Sequence, residues 1–254
     1  NLCAILSFLL NCMFTHGHTA DNLLLSNLIS IPKNLRSSLC SSDNYRGITL
    51  CSSIVKLIDL VIIDKFNASL CASYLQFGFK HGCSTVMCTA AYKEAISHYL
   101  NHGSDVYSVL LDASKAFDKV QYGKLFKLLI NCGLPFTVIR LLFDCYTRQR
   151  MFTSWNGCQS NQFNVCNGVR QGGILSPILF TVYVDSLLCR LENSDFGCQL
   201  KNVYAGALGY ADDITLLCPS LHGLNKMIHI CEEFAAEYSI TFNAKKTVAI
   251  HFGR

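Results

Sequence analysis

Charged residues are scarce in this chain: they make up 15% of its 254 residues, whereas 51% are hydrophobic. This composition excludes an intrinsically disordered segment, which combines low hydrophobicity with high charge. The formal net charge is only +4, which permits a polyanionic partner but does not by itself argue for one. The length suffices for one large domain or two small ones with an ample core.

The spacing of the cysteines excludes the common disulfide and metal motifs. The chain has 15 cysteines, of which the closest two are Cys83 and Cys88, and no C-x-x-C occurs. An odd number spread through apolar segments is typical of small buried thiols in a reducing compartment. Zinc is not expected, since neither Cys nor His shows ligand spacing. We therefore expect an intracellular protein.

No apolar run reaches the length of a membrane-spanning helix. Residues 1–14, NLCAILSFLLNCMF, are apolar but shorter than the roughly 20 residues that cross a bilayer. They also lack the basic lead-in and small-residue cleavage site of a signal sequence. We expect a buried helix here and no membrane partner. Because the chain starts without methionine, we expect it to be a piece of a longer protein.

No Pro/Gly/Ser linker or internal repeat divides the chain, but its pattern changes after about residue 105. Residues 1–105 mix short apolar segments with scattered basic residues, and residues 106–254 show sharper periodicity. VYSVLL (106–111) is a β-branched and apolar run that predicts a strand ending at Asp112. Further patterns predict helices at 124–135, 136–148, 175–192 and 221–239, and strands joined by turns at 206–218 and 240–252. The predicted class is α+β, with an antiparallel sheet backed by helices.

Two adjacent acids, Asp212 and Asp213, lie between the predicted strands of GYADDITLL (209–217). A tight turn there places both carboxylates at the sheet edge, and Asp112 joins them if its strand is a neighbour. Such a cluster is unfavourable unless divalent cations bind it, and Mg²⁺ prefers oxygen ligands. Two ions would clamp the attacking and leaving oxygens of a phosphoryl transfer. An Asp-Asp pair in a turn is more often solvated turn chemistry, so these residues alone leave both alternatives open.

Six short blocks stand in a fixed order along the chain. They are NYRGITLCSSIVKLID (44–59), QFGFKHGCST (76–85), LLDASKAFDKV (110–120), GVRQGGILSPILF (168–180), YADD (210–213) and NAKKT (243–247). Together they resemble the reverse transcriptase domain of non-LTR (LINE-type) retrotransposons, from about residue 31 onward. The resemblance implies a right-hand polymerase fold, with fingers and their connection in 1–105 and palm in 106–254. It also implies that the thumb is missing.

The resemblance assigns the metal site and a sugar gate. It implies that Asp112 and Asp212 bind two Mg²⁺ ions, which Mn²⁺ can replace, with Asp213 close by. The Ala113 carbonyl would complete the coordination of one ion. Phe117 falls where the family has an aromatic gate against the sugar of the incoming nucleotide. A ring there would exclude a 2′-hydroxyl, the group that distinguishes ribonucleotides; without the motif, a core aromatic would explain Phe117.

Further residues match the nucleotide-binding elements of the family. Gln171 and Gly172, preceded by Arg170, match the glutamine-glycine element beside the nucleotide and the template base. Arg46 matches the fingers arginine that grips the triphosphate, a task that suits a bidentate guanidinium. Lys246 falls where the family has a lysine near the triphosphate that assists departure of pyrophosphate. The last match, Tyr210, would lie near the primer end.

Two positions depart from the family pattern. Gly47 stands where many members have proline, and Lys80 stands where arginine is usual. A lysine cannot reproduce a bidentate grip. The catalytic positions that the resemblance assigns are all present.

The resemblance implies an RNA-directed DNA polymerase with an RNA template, a DNA primer and deoxynucleoside triphosphates (dNTPs). It would grip the RNA–DNA hybrid mainly through phosphates, in a salt-dependent way, and act in the nucleus. An alternative from another class is a catalytically silent remnant or RNA-binding module that retains the fold. A maturase-like domain is a third alternative, and a basic domain after the thumb would distinguish it.

Overall fold

A computed structural model describes residues 1–253. Its helices are α1 (Leu2–His16), α2 (Asp21–Leu24), α3 (Ser53–Phe66), α4 (Thr85–Asn101), α5 (Tyr122–Asn131), α6 (Phe136–Thr147), α7 (Ser176–Glu192) and α8 (Leu221–Tyr238). Its strands are β1 (Leu25–Pro32), β2 (Tyr45–Leu50), β3 (Val106–Leu111), β4 (Arg150–Trp155), β5 (Cys158–Gln159), β6 (Phe163–Asn164), β7 (Gln199–Leu200), β8 (Val203–Tyr204), β9 (Ala207–Tyr210), β10 (Asp213–Cys218) and β11 (Val248–Phe252). Short 3-10 helices lie at Ser42–Asn44 and Ala116–Lys119.

Two compact units alternate along the chain. The first unit consists of Asn1–Leu70 and Gln121–Ser176, and the second consists of Cys71–Val120 and the chain from Pro177. A single break near residue 105 does not coincide with these units, because α4 contributes Ala95 and Ile96 to a core shared with β3, β9 and β10 of the second unit. The assignment of fingers and palm to 1–105 and 106–254 stays a prediction.

The first unit contains a mixed sheet in the order β2-β1-β4-β5, with β6 also pairing with β4. Strands β1 and β2 are antiparallel, whereas β1 and β4 are parallel. Helices α5 and α6 contact each other, and their apolar positions recur with the helical period. Leu125 and Leu129 of α5, like Leu141 and Leu142 of α6, are almost fully buried. Burial of these side chains removes apolar area from water and stabilises the unit.

Helix α1 forms as predicted, but the prediction that it is buried is wrong. Met13 is its buried residue, whereas Leu2 and Phe8 are 70% and 73% exposed. Apolar side chains occupy every side of this helix, so its packing against α6 covers only part of them. Among residues 1–253, the helices are too short or too polar to cross a membrane.

The second unit is built on an antiparallel sheet in the order β11-β3-β10-β9. This confirms the predicted sheet and makes β3 and β10 neighbours, with Leu111 opposite Ile214. Helix α7 is buried along most of its length, because its apolar residues lie on nearly every side of the helix. The strand predicted to begin at Ile240 is reduced to one bridge, between Phe242 and Ala113, because the chain turns immediately afterwards.

Candidate active site

A tight hairpin carries the adjacent acids. Tyr210, the last residue of β9, pairs with Asp213, the first residue of β10, so the loop consists of Ala211 and Asp212. Ala211 has a φ of 59°, which two-residue hairpin loops require at their first position and which alanine adopts only at a cost. The predicted turn is confirmed, and it places Asp212 at the tip of the hairpin.

Asp112 lies beside this hairpin because of the strand register. Leu111 is opposite Ile214, and one further step along this antiparallel pair brings Asp112 level with Asp213. The backbone around Asp112 is fixed, since Asn243 N–H donates to the Asp112 carbonyl at 2.8 Å. The three predicted carboxylates therefore meet at one end of the sheet.

The three acids repel one another, and a lysine compensates part of this repulsion. Burial raises the pKa of Asp213, and the charges of Asp212 and Asp112 raise it further, whereas Lys246 lowers it. The Lys246 ammonium donates to both Asp112 carboxylate oxygens, at 3.1 and 3.2 Å. The cluster thus already attracts one cation of the chain itself.

The donor chemistry of this cluster fits Mg²⁺. In residues 1–253, no three acidic, histidine or cysteine side chains are grouped closely enough to hold a metal by themselves. Mg²⁺ is usually bound by one or two carboxylates, with water and phosphate in its other positions, so a complete protein cage is not required. A divalent cation would also relieve the repulsion that raises the pKa of Asp213. The backbone of Ala113 lies in the bridge with Phe242.

Phe117 lies in the same unit as the carboxylates, in the short 3-10 helix that follows β3. Its ring is half-buried and stacks on Phe180 at a centroid distance of 4.4 Å, with an interplanar angle of 16°. Phe79 contacts it edge-on at 6.2 Å. Two aromatic neighbours therefore fix the orientation of the predicted sugar gate.

Other predicted nucleotide-binding residues lie in the first unit. Arg46 is an exposed residue of β2, opposite Ile31. The carbonyl of Gln171 accepts from Thr49 N–H at 2.6 Å. Gly172 has a φ of 108°, and a Cβ there would lie 3.0 Å from the Thr49 carbonyl oxygen. The close approach to β2 explains why glycine occupies this position.

Arg170 has a structural role that the sequence did not predict. It is 4% exposed, and its guanidinium donates to Gln149 Oε1 at 2.9 Å and to the Cys145 carbonyl at 2.8 Å. It also lies over the Tyr146 ring, 4.7 Å from the centroid. These partners belong to the first unit, so Arg170 supports the loop that carries Gln171. A direct contact with substrate stays a prediction.

Asp59 is a further buried acid that the sequence did not single out. It is 4% exposed and accepts from Leu175 N–H at 3.4 Å. Burial raises its pKa, and the positive charge of Arg170 opposes this shift. An acid in the apolar run CSSIVKLID was the available signal, because a carboxylate is rarely buried without a partner.

Gln76 is the second residue that was missed. It is fully buried, and its side chain hydrogen-bonds Ala211 in the hairpin loop that precedes Asp212. The signal was a polar residue inside the apolar block YLQFGF. Its partner is distant in the sequence, so the pattern could not identify it.

Solved structures with the same fold include telomerases. The chain matches apo telomerase from Candida tropicalis, truncated from its C-terminal domain, with a TM-score of 0.66 and 13% identity over 92% of this chain and 51% of that one. A telomerase from Candida albicans, in complex with a fragment of telomeric RNA, matches with a TM-score of 0.58 and 12% identity over 94% and 44% of the chains. At this identity the likeness establishes the class of fold: a right-hand polymerase.

The particular family follows from sequence relatives. The chain belongs to the reverse transcriptase (RNA-dependent DNA polymerase) family, whose model matches residues 31–251. It is 25% identical to the Pol polyprotein of the type-2 retrotransposable element R2DM of Drosophila melanogaster, over 95% of this chain and 23% of that protein. It is 27% identical to that of the type-1 element R2 of Popillia japonica, over 92% and 33%. The predicted relationship to non-LTR retrotransposon polymerases is confirmed, and the chain spans a quarter to a third of these relatives.

Proposed function

We propose that this chain carries the catalytic centre of an RNA-directed DNA polymerase, which extends a DNA primer on an RNA template with dNTPs. The observation that supports this most directly is the meeting of Asp112, Asp212 and Asp213 at one end of the antiparallel sheet. Membership of the reverse transcriptase family gives this cluster its chemical interpretation.

The carboxylates are the proposed metal-binding groups. Asp112 and Asp212 hold two Mg²⁺ ions, which Mn²⁺ can replace, with the Ala113 carbonyl as a further oxygen donor. When bound, such ions stabilise the attacking and leaving oxygens of an in-line phosphoryl transfer. Asp213 adds negative charge beside them. Lys246 is exposed and already hydrogen-bonded to Asp112, and its ammonium would instead bind the triphosphate and stabilise departing pyrophosphate.

The remaining predicted residues bind and select the nucleotide. Arg46 grips the triphosphate through charge-assisted hydrogen bonds. Gln171 and Gly172 lie beside the nucleotide and template base, on a loop that Arg170 supports through its hydrogen bonds to Gln149 and the Cys145 carbonyl. Phe117 is oriented by its contacts with Phe180 and Phe79, and a gate against a 2′-hydroxyl requires such a defined orientation.

The nucleic-acid partners follow from this chemistry. Tyr210, at the end of β9, lies near the primer end, and an RNA–DNA hybrid binds mainly through its phosphates. We therefore expect binding to weaken steeply with salt. For a protein with this function we expect an intracellular location and a nuclear site of action.

The test is primer extension on an RNA template with Mg²⁺, by the protein that contains this chain. Asp212→Asn keeps the shape of the side chain but removes its charge, so we expect it to abolish DNA synthesis without unfolding the protein. Asp195→Asn makes the same chemical change at an exposed position of the second unit and should retain synthesis. Full activity of Asp212→Asn would refute the proposed metal site. Hybrid binding without any synthesis by the unchanged protein would favour a silent RNA-binding module.

A further inference from the structure

The segment that carries Gln76 is attached to the catalytic hairpin by its backbone. Gly209 N–H donates to the Leu75 carbonyl at 2.8 Å, and Phe77 N–H donates to the Gly209 carbonyl at 2.8 Å. Gln76 thereby forms a parallel bridge with Gly209 of β9. Its side chain has no exposed surface, so a single arrangement is enforced by packing.

The carboxamide of Gln76 binds both backbone polar groups of Ala211. Its Oε1 accepts from Ala211 N–H at 3.0 Å, and its Nε2 donates to the Ala211 carbonyl at 3.3 Å. The same Oε1 accepts from Gly78 N–H at 2.8 Å. One side chain therefore satisfies the hydrogen-bonding needs of both backbone groups of Ala211, the first loop residue of the hairpin, which is itself 8% exposed.

This support falls on a strained residue. Ala211 has a φ of 59°, and a non-glycine residue keeps a left-handed backbone only when the surrounding structure enforces it. Close packing leaves the loop little freedom: a Cβ on Gly78 would lie 2.1 Å from the Ala211 nitrogen, and one on Gly209 would lie 3.0 Å from Gln76 Nε2. The two glycines create the space that the carboxamide and the loop occupy.

We propose that Gln76 is a positioning residue, which holds Ala211 in its left-handed conformation and so sets the directions of Asp212 and Asp213. Asp212 follows Ala211 directly, and rotation of the Ala211 backbone would turn both carboxylates away from Asp112. The role of this arrangement in DNA synthesis rests on the proposed function. The arrangement of the carboxylates for a divalent cation is measurable without synthesis.

The experiment is titration of the chain with Mn²⁺ alone, followed by electron paramagnetic resonance. Gln76→Met keeps the volume but removes all three hydrogen bonds, and we expect it to weaken Mn²⁺ binding by about 10- to 100-fold, as loss of a residue that orients metal ligands does. Adding Ala211→Gly should restore most of the affinity, because glycine adopts positive φ without strain. Tyr183→Phe is the matched control: it removes another buried hydrogen bond of the second unit, to the Tyr238 carbonyl, and should leave Mn²⁺ affinity unchanged.

The outcomes separate this inference from the proposed function. Unchanged Mn²⁺ affinity in Gln76→Met, or weakened affinity that Ala211→Gly does not restore, would overturn the positioning role. If Gln76→Met does not fold, a double variant with Ala211→Gly that folds and binds Mn²⁺ supports the role, and one that fails in either respect overturns it. Gln76-dependent Mn²⁺ binding by a protein that synthesises no DNA would support the positioning role while rejecting the polymerase.

Discussion

Arg170 offers a sharp test of how the first unit supports its glutamine-glycine loop. Arg170→Met removes a guanidinium that is 4% exposed, together with its bonds to Gln149 and to the Cys145 carbonyl. Methionine restores some of the packing over Tyr146. However, Asp59, which is also 4% exposed, loses its opposing charge. Leaving each of the two buried acceptors without its donor costs about 1–3 kcal/mol, and together this is a large part of the roughly 5–15 kcal/mol that stabilises a domain.

The loss of stability should depend on pH in a definite direction. Burial raises the pKa of Asp59 above its ordinary value of 3.8, and Arg170 partly opposes this, so Arg170→Met raises it further. An acid whose pKa is raised in the folded state binds protons more readily when folded. Its contribution to stability is therefore most favourable at acid pH and is lost as the pH rises from the ordinary value through the raised one. The deficit of Arg170→Met should widen between the raised pKa of Asp59 in the unchanged protein and its still higher pKa in the variant.

Urea unfolding at about pH 5 and about pH 8 measures this deficit at the two ends of a suitable range. Trp155 is the single tryptophan of the chain and lies on β4 of the first unit, so its fluorescence reports on that unit. Asp59→Asn in the Arg170→Met background removes the uncompensated acid and should abolish the pH dependence that this acid gives to the free energy of unfolding. A deficit below about 0.5 kcal/mol, within the range of ordinary surface substitutions, would refute the reasoning. An equal deficit at both pH values would do so as well.

Two further predictions concern the second unit. Lys246→Ala removes the ammonium that is hydrogen-bonded to both Asp112 oxygens, so the chain should bind Mn²⁺ more tightly. The control Lys245→Ala should not change the affinity. Weaker Mn²⁺ binding in Lys246→Ala would contradict the idea that Lys246 competes with the metal for Asp112. Phe117→Val removes the ring that stacks on Phe180 and should increase incorporation of ribonucleotides relative to deoxynucleotides in primer extension. Unchanged sugar selectivity would count against the gate.

The sequence predicted the local structure of the carboxylate site well, because the site depends on strand periodicity. The β-branched and apolar run VYSVLL and the turn between two apolar runs indicate where β3 ends and where the hairpin lies. The pairing of β3 with β10 was a condition of the hypothesis, and the structure fulfils it with Leu111 opposite Ile214. The apolar composition of residues 1–14 also predicted the helix α1, but it could not show how much of a helix with apolar residues on every side is covered by a neighbouring element.

Long-range polar partners were beyond the sequence patterns. Gln76 and Ala211 are 135 positions apart, and Arg170 and Cys145 are 25 apart. A pattern shows that a polar residue lies in an apolar run, but it does not identify which backbone group that residue satisfies. Those partners are determined by how the chain folds back on itself, which only the three-dimensional structure gives.

The buried polar residue is a neutral glutamine, Gln76, in the second unit and a cationic arginine, Arg170, in the first unit, and this difference has an electrostatic reason. Ala211 presents both an N–H and a carbonyl, and a carboxamide supplies a donor and an acceptor together. A cationic side chain at position 76 would attract the neighbouring acids and compete with a metal, and a carboxylate would add to the repulsion that already raises the pKa of Asp213. A neutral glutamine avoids both effects. In the first unit the charge of the buried Arg170 acts on Asp59, so a guanidinium is suitable there, because its charge opposes the effect of burial, which raises the pKa of that acid.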